Sequence, residues 1–269
     1  MIKIESYTNL LEILSVEKLS QKAALVTGGG RRIGAGIVKA LAADGWFVYI
    51  HCHASYDEAS EVLQEIKADS GNGMVITQNL SERGAAESLM RKVATGPAPL
   101  MALINNASLF EYDTVETITE KSLDEHFAVN VRSPIILSKV FANSLSEDTN
   151  GCVINILDNK VYAINPDYLS YTISKVALQG ATSALAMALA PKVRVNGIAP
   201  GITLESGNQG EASFIKGQTM SPMGQVSTVE DITRSVLFIL NSNSINGNVI
   251  TVDGGQSLQK LARDVAFID

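Results

Sequence analysis

The stretch ALVTGGGRRIGAG, residues 24–36, decides the fold class of this chain. Its first residues are apolar and predict a short buried strand, whereas the residues from Ile33 onward have helical spacing. Glycines between a strand and a helix let the backbone approach a pyrophosphate closely, and the helix N-terminus offers unpaired N–H groups to it. The stretch therefore predicts a dinucleotide-binding strand, turn and helix, with Gly28 and Gly34 as the most informative glycines.

Strand-like and helix-like patterns alternate along the rest of the chain. The predicted strands are 23–26, 47–52, 74–77, 100–104, 153–157, 193–198 and 248–252. The predicted helices are 33–43, 85–93, 122–144, the segment carrying Tyr171, and 229–240. This alternation predicts a single-domain Rossmann fold of the α/β class over residues 21–269, with a doubly wound parallel sheet of about seven strands and helices on both faces. Residues 1–20 are assigned to an N-terminal extension, and the irregular stretch 201–228 is expected to be a substrate loop.

Composition excludes several classes of function. The formal net charge of −7 and the pI near 5.1 disfavour a nucleic-acid or anionic-membrane surface. The N-terminus does not have the pattern of a signal peptide, and we expect a cytoplasmic protein. Cys52 and Cys152 are expected to be buried thiols, and His51 with His53 lacks a nearby third ligand for a metal site.

The end of the second strand, YIHCHASYDE at 49–58, bears on the choice of cofactor. Selection of NAD needs a carboxylate there to bind the ribose 2′-hydroxyl, and residues 49–56 contain none. His51, His53 and Ser55 are expected to donate to a 2′-phosphate, with Arg31 or Arg32 supplying positive charge. These residues favour NADPH.

The stretch INILDNKVYAINPDYLSYTISK, residues 154–175, carries the candidate chemistry. Tyr171 and Lys175 lie one helical turn apart and share a face, so the ammonium is expected to lower the pKa of the tyrosine. Asn130 is expected to hold a water that connects Lys175 to solvent. Thirteen residues before the tyrosine stands Asp158, and no serine occurs between Asn155 and Leu169.

Taken together, these motifs resemble the short-chain dehydrogenase/reductase family over residues 23–258. The matching pieces are TGGGRRIG, INNAS at 104–108, Asn130, YTISK, VRVNGIAPG at 193–201 and VDGG at 252–255. Within that family the chain is most similar to the pteridine reductases and the bacterial dihydromonapterin reductases, through Arg32, HCHAS, Phe110 and the aspartate in the place of the family's serine. It departs from the protozoan pteridine reductases at Ala54, where they carry arginine, and at Asn79, where an acidic residue is expected.

The resemblance implies NADPH as cofactor, a pterin as substrate and a homotetramer as assembly. The implied catalytic residues are Asp158, Tyr171, Lys175 and Asn130. The implied cofactor-binding residues are Gly28, Arg31, Arg32, Ile33, His51, His53, Ser55, Asn79, Leu80, Asn106, Ala107, Ser108, Tyr171, Lys175, Pro200 and Gly201. The implied substrate-binding residues are Arg32, Ser108, Phe110, Asp158, Tyr171 and Leu204, with Phe110 holding a pterin against the nicotinamide.

Three functions remain open from the sequence. An ionised Asp158 cannot donate to a ketone oxygen as negative charge develops there, which favours reduction of a pterin C=N bond. The first alternative is a carbonyl reductase such as a 3-oxoacyl-carrier-protein reductase, for which Ile202, Leu204 and Phe214 would supply an apolar mouth. The second is a non-catalytic NADPH-binding sensor, which the presence of both Tyr171 and Lys175 disfavours.

Overall fold

The computed structural model describes residues 22–205, 221–225 and 227–267. The predicted N-terminal extension, residues 1–20, lies outside the described residues, as does most of the predicted substrate loop, including Phe214.

A parallel sheet of seven strands runs through the described part of the chain. The strands are β1 Ala23–Val26, β2 Phe47–Cys52, β3 Asn72–Thr77, β4 Leu100–Asn105, β5 Gly151–Ile156, β6 Val193–Pro200 and β7 Val249–Val252. Their order in the sheet is β3-β2-β1-β4-β5-β6-β7, and each neighbouring pair is parallel. The predicted single Rossmann domain with a parallel sheet of about seven strands is therefore confirmed.

Helices cover both faces of this sheet. They are α1 Arg32–Ala43, α2 Tyr56–Ala68, α3 Ala85–Ala94, α4 Glu120–Phe127, α5 Ser133–Ser144, α6 Leu169–Leu189 and α7 Val229–Leu240. The apolar faces of α1, α2 and α7 pack on one side of the sheet, and those of α3, α5 and α6 pack on the other. The residues of β1, β2 and β5 are buried on both faces of the sheet, which is why these strands are mostly apolar and do not alternate.

The helix predicted over 122–144 is interrupted. Helix α4 ends at Phe127, a π-helical turn spans Ala128–Arg132, and α5 follows. Pro134 stands in the first turn of α5, where its missing N–H and restricted φ are compatible with the start of a helix. The π-helical turn carries Asn130, one of the predicted catalytic residues.

The order of the strands positions the site. Successive strands run outward in one direction from β1 and in the other direction from β4, so a crevice opens beyond the carboxyl ends of these two neighbours. The glycine-rich turn follows β1, INNAS spans the end of β4, Asp158 follows β5 and Gly201 follows β6. The sheet thus brings distant motifs to one edge.

None of the helices in the described part of the chain is long and apolar enough to cross a bilayer.

Ile154, at the centre of β5, offers a test of this core because its side chain is fully buried. Ile154→Ala is expected to lower the free energy of unfolding by roughly 2–5 kcal/mol, since it removes buried methylene groups and leaves a cavity. Val115→Ala is the control: Val115 is 72% exposed, and a change of about 0.5 kcal/mol or less is expected there. Urea unfolding measures both, and equal losses would contradict the assigned core.

Candidate active site

A cavity of about 590 Å³ opens at the carboxyl ends of the strands. Most of the residues predicted to bind cofactor or substrate line it: Gly28, Arg31, Arg32, Ile33, Ser55, Asn106, Ala107, Ser108, Phe110, Asp158, Tyr171, Lys175, Pro200, Gly201 and Leu204. Four other predicted cofactor residues (His51, His53, Asn79 and Leu80) and Asn130 are not part of the lining. The cavity thus collects motifs that are more than 170 residues apart in sequence.

The glycine-rich turn has the shape that a dinucleotide needs. Gly28 has φ +63°, which favours glycine, and a Cβ on Gly34 would lie 2.1 Å from the Gly28 carbonyl oxygen. The absence of side chains at these two positions keeps the backbone tightly turned at the N-terminus of α1. A pyrophosphate fits such a cradle, because the backbone N–H groups and the positive end of the helix dipole face it.

Hydrogen bonds from INNAS fix this turn against β4. The Asn106 side-chain amide donates to the carbonyl oxygens of Thr27 at 2.9 Å and Gly28 at 3.0 Å. In return, Thr27 Oγ1 accepts from the backbone N–H groups of Asn106 and Ala107 at 2.9 and 3.0 Å. Asn106 therefore positions the cofactor cradle through the backbone of the turn.

His51 does not take the role that the sequence predicts. Its side chain is 2% exposed and lies between the backbone of the glycine-rich turn and the backbone that directly follows β3. The Gly28 N–H donates to Nδ1 at 3.2 Å, so Nε2 carries the ring proton and donates to the Gln78 carbonyl oxygen at 2.9 Å. Because both ring nitrogens are used, the prediction that His51 donates to a 2′-phosphate is wrong; His51 supports the glycine turn instead.

The other residues predicted around the adenosine end differ in placement. Ser55 lines the cavity at the start of α2, whereas His53 is exposed outside the lining. Asn79 Oδ1 accepts from the backbone and the hydroxyl of Ser81 at 3.0 and 2.8 Å. The side chain of Leu80 is 5% exposed and belongs to the core, so any cofactor contact by Leu80 would have to be made through its backbone.

Arg31 and Arg32 have different environments. Arg31 forms a surface ion pair with Glu58 of α2. Arg32 has φ +53°, a backbone conformation that glycine adopts without strain and that a residue with a side chain rarely adopts. Its guanidinium donates to the carbonyl oxygens of Leu204, at 3.2 Å, and Glu205, and so ties the start of α1 to the segment after β6.

Tyr171 and Asp158 form the centre of the cavity. The Tyr171 hydroxyl donates to Asp158 Oδ2 at 2.7 Å, and Asp158 Oδ1 accepts from the Lys160 backbone N–H at 2.8 Å. Lys175 Nζ lies 5.6 Å from the centre of the Tyr171 ring and donates to the Ile156 carbonyl oxygen at 2.8 Å. Asp158 is thus directly coupled to the tyrosine.

Burial governs the protonation of this group. It raises the pKa of Asp158 above its usual value, although the bond from Tyr171 acts in the opposite direction. Burial, together with the negative charge of Asp158, also raises the pKa of Tyr171 well above its usual value. It lowers the pKa of Lys175 to about 8. The prediction of a lowered pKa for the tyrosine is therefore wrong, because desolvation and the carboxylate of Asp158 both raise it.

Asn130 connects two walls of the cavity. Its amide nitrogen donates to the Leu109 carbonyl oxygen at 3.0 Å and to Ser174 Oγ at 2.9 Å. Its oxygen accepts from the Leu109 N–H at 2.8 Å and from Ser108 Oγ at 3.2 Å. The side chain thereby fixes the segment after β4 against the helix of Tyr171; a water linking Asn130 to Lys175 stays a prediction.

Phe110 lies beside Tyr171, the predicted catalytic tyrosine. Its ring stacks on Tyr168 at 4.3 Å between centroids and meets Tyr171 edge-on at 4.6 Å. Tyr168 reaches this position with φ +53°, a strained conformation for an aromatic residue, directly before α6. Phe110 remains 40% exposed, so part of its surface is available to a flat ligand.

Sequence reasoning missed part of the lining. The missed residues include Asn159, Lys160, Tyr168, Thr203, Gln256, Leu261, Asp264, Val265 and Ala266. Tyr168 and Lys160 stand within the quoted stretch 154–175, where proximity to Asp158 and Tyr171 was an available signal. Residues 261–266 follow the last recognised motif, and no pattern in the sequence indicates their return to the cavity.

With this geometry established, comparison with known proteins identifies the family. The model of the family described as short chain dehydrogenase matches residues 22–213. The chain belongs to this family. Its short-chain dehydrogenase fold places Tyr171 and Lys175 on one helix beside the cofactor cradle, as the family resemblance implied.

Relatives within the short-chain dehydrogenase family include proteins of two named activities. FolM alternative dihydrofolate reductase 1 from Brucella canis, complexed with NADP, is 39% identical with a TM-score of 0.84, covering 91% of this chain and 97% of that one. The Brucella suis protein of the same name, also with NADP, is 40% identical with a TM-score of 0.83, covering 88% and 95%. A 3-oxoacyl-[acyl-carrier-protein] reductase from Staphylococcus aureus is 28% identical over 87% of this chain and 97% of its own length. The two NADP complexes agree with the cofactor predicted from the sequence.

The buried neutral His51 makes stability depend on pH. Its folded pKa of about 4 lies below the ordinary 6.5, so the unfolded chain binds more protons between these values. The contribution of neutral His51 to the free energy of unfolding is complete above the unfolded-state pKa and is lost as pH falls towards the folded-state pKa. The loss should be about 2 kcal/mol between about pH 7.5 and pH 5. Urea unfolding of the wild type against His51→Gln measures this loss. His53→Gln changes an exposed histidine and should show the same loss of stability at low pH as the wild type. If His51→Gln also kept the wild-type dependence of the free energy of unfolding on pH, His51 would not be its source.

The left-handed conformation of Arg32 gives a second test. Arg32→Gly should be less destabilising than Arg31→Gly by about 1 kcal/mol, because glycine relieves strain at the first position only. Arg31 has φ −142°, where glycine brings no relief. Chemical denaturation of both variants checks the difference, and the opposite ranking would show that the bonds from Arg32 to Leu204 and Glu205 outweigh the strain.

Proposed function

We propose that this protein is an NADPH-dependent reductase of a ring C=N bond in a pterin, with a dihydropterin as substrate. The observation that carries the proposal is the hydrogen bond from Tyr171 to Asp158, at the position where the family's serine is expected. Phe110, which presents a partly exposed ring beside that pair, supports a flat heterocyclic substrate.

In its ionised form, Asp158 argues against a ketone substrate. Carbonyl reduction places negative charge on an oxygen, which needs hydrogen-bond donors and is repelled by a carboxylate. Reduction of C=N places the negative charge on a nitrogen that must be protonated, and a carboxyl group can assist that proton transfer. A carboxylate can also accept from the N–H and amino groups of a pterin. Asp158 therefore suits the second reaction better.

Different residues of the chain bind different parts of the cofactor. Gly28 and Gly34 shape the backbone cradle for the pyrophosphate, and the absence of a carboxylate at residues 49–56 leaves space for a 2′-phosphate. Lys175, held by the Ile156 carbonyl oxygen, is placed to bind the nicotinamide ribose. When bound, NADPH supplies a hydride to the ring carbon.

Tyr171 and Asp158 supply the proton that the ring nitrogen takes up. Tyr171 keeps its proton because its pKa is raised well above the usual value by burial and by Asp158. The pKa of Asp158 is also raised by burial, so this carboxyl holds a proton to a higher pH than an ordinary aspartate does. A proton passes from the hydroxyl of Tyr171 to the ring nitrogen, and the tyrosine is reprotonated through Asp158.

The comparisons support this substrate class in part. The two Brucella relatives at 39% and 40% identity are named as alternative dihydrofolate reductases, and dihydrofolate contains a dihydropterin ring. The Staphylococcus aureus relative, at 28% identity, keeps carbonyl reduction as the second candidate. A non-catalytic sensor is disfavoured because Tyr171, Lys175 and the cradle are all assembled.

The decisive experiment follows NADPH oxidation with dihydromonapterin, dihydrobiopterin, dihydrofolate and an acetoacetyl thioester. The wild type should reduce the pterins, and Asp158→Ser should lose roughly 10²-fold or more of that activity because the carboxyl group is removed. Asp158→Asn is the matched variant, since it keeps the size of the side chain without its ionisation. Efficient thioester reduction that survives or increases in Asp158→Ser would replace the pterin proposal by carbonyl reduction.

The pH dependence of the pterin reaction tests the proton donor. Because the raised pKa keeps Asp158 protonated to higher pH, kcat/KM should fall as pH rises through that pKa. Asp158→Asn should lose this limb of the profile while retaining NADPH binding. An unchanged profile in Asp158→Asn would assign the limb to another group.

A further inference from the structure

The segment formed by residues 263–267 lines part of the cavity. It includes a 3₁₀ turn, Val265–Phe267, and Val265 is 7% exposed. Asp264, Val265 and Ala266 line the cavity together with Tyr171 and Phe110. This part of the chain therefore contributes a wall to the site, although its sequence carries no recognised motif.

Two ion pairs fasten the 263–267 segment. Lys160 Nζ pairs with Asp264 Oδ2 at 2.7 Å, and the two side chains are 9% and 15% exposed. Arg263 forms a bidentate pair with Asp167, from Nε to Oδ2 and from Nη2 to Oδ1, each at 2.8 Å. The Asp264 backbone N–H also donates to Asp167 Oδ2 at 2.7 Å. A pairing of this kind fixes a segment in one register, because a partner left alone would be a buried unpaired charge.

Aromatic contacts extend the attachment towards the substrate side. Phe267 lies 4.9 Å from Tyr112 and 6.1 Å from Tyr168, measured between ring centroids. Tyr168 in turn stacks on Phe110. Lys160 and Asp167 both belong to the loop between Asp158 and α6, so the same loop carries the carboxyl group of the chemistry and the anchors of the wall.

We propose that the 263–267 segment is a specificity-determining wall of the substrate pocket, which limits the size of the group attached to the pterin ring. Its anchors lie on the loop next to Asp158 and on the aromatic residues around Phe110, and this places it on the substrate side of the cavity. A wall fixed by two ion pairs cannot yield to a bulky substituent without breaking one of them. This inference rests on the proposed pterin reductase function.

The 4-aminobenzoyl-glutamate group of dihydrofolate is much larger than the side chain of dihydromonapterin. Comparing the kcat/KM values of these two substrates therefore measures how strongly the wall limits the size of the group attached to the ring. In Arg263→Gln the ratio of kcat/KM for dihydrofolate to that for dihydromonapterin should rise roughly tenfold, because one of the two ion pairs that fasten the wall is lost. Arg263 itself does not line the cavity, and the KM for NADPH should stay unchanged. This rise should come from a lower KM for dihydrofolate more than from a higher kcat.

Two further variants keep the test decisive. Val265→Ala trims the wall without breaking an anchor, so the ratio should also rise if Arg263→Gln fails to fold. Arg234→Gln is the matched control, since Arg234 pairs with Asp231 at an exposed position on α7. An unchanged ratio in folded Arg263→Gln and Val265→Ala would overturn the inference. A wild type that reduces neither pterin would instead contradict the proposed function.

Discussion

The hydrogen bond between Tyr171 and Asp158 joins two parts of the fold that parallel pairing alone does not bring together. Asp158 follows β5, and Tyr171 lies in the first turns of α6, after a loop that leaves the sheet and returns. Tyr171 is buried and Asp158 is desolvated, and removing a charge from water is costly unless it is paired. The surrounding structure meets this requirement: the Lys160 N–H serves the second oxygen of Asp158, and the Ile156 carbonyl binds Lys175.

Buried polar side chains also support the rest of the cavity. His51 accepts from the backbone of the glycine turn, Asn106 donates to it, and Asn130 holds the segment after β4. His51 and Asn130 use their side-chain hydrogen-bonding groups on protein atoms and lie outside the cavity lining, whereas Asn106 both orients the turn and lines the cavity. The cavity is therefore preorganised by a layer of residues behind those that face the cofactor and the substrate.

The segments after β6 and at 263–267 both line the cavity. Arg32 reaches from the start of α1 to the carbonyl of Leu204, and the ion pairs at Lys160 and Arg263 hold the other wall. Arg32 and Tyr168 both have a strained backbone with positive φ. Strained residues of this kind persist where neighbouring contacts hold them, as they do on both sides of this cavity. These two sides of the cavity thus depend on contacts that are distant in sequence.

The sequence by itself determined the fold class, the family and the cofactor. Short-range rules sufficed, because apolar runs, helical spacing and the glycine turn after β1 are local signals, and Tyr171 with Lys175 lies on one helix. The tertiary structure decided what depends on packing. Burial reversed the expected pKa shift of Tyr171, and the two backbone partners of His51 removed it from phosphate binding. The return of residues 263–267 to the cavity was also decided there, because ion pairs between distant positions leave no periodic trace in a sequence.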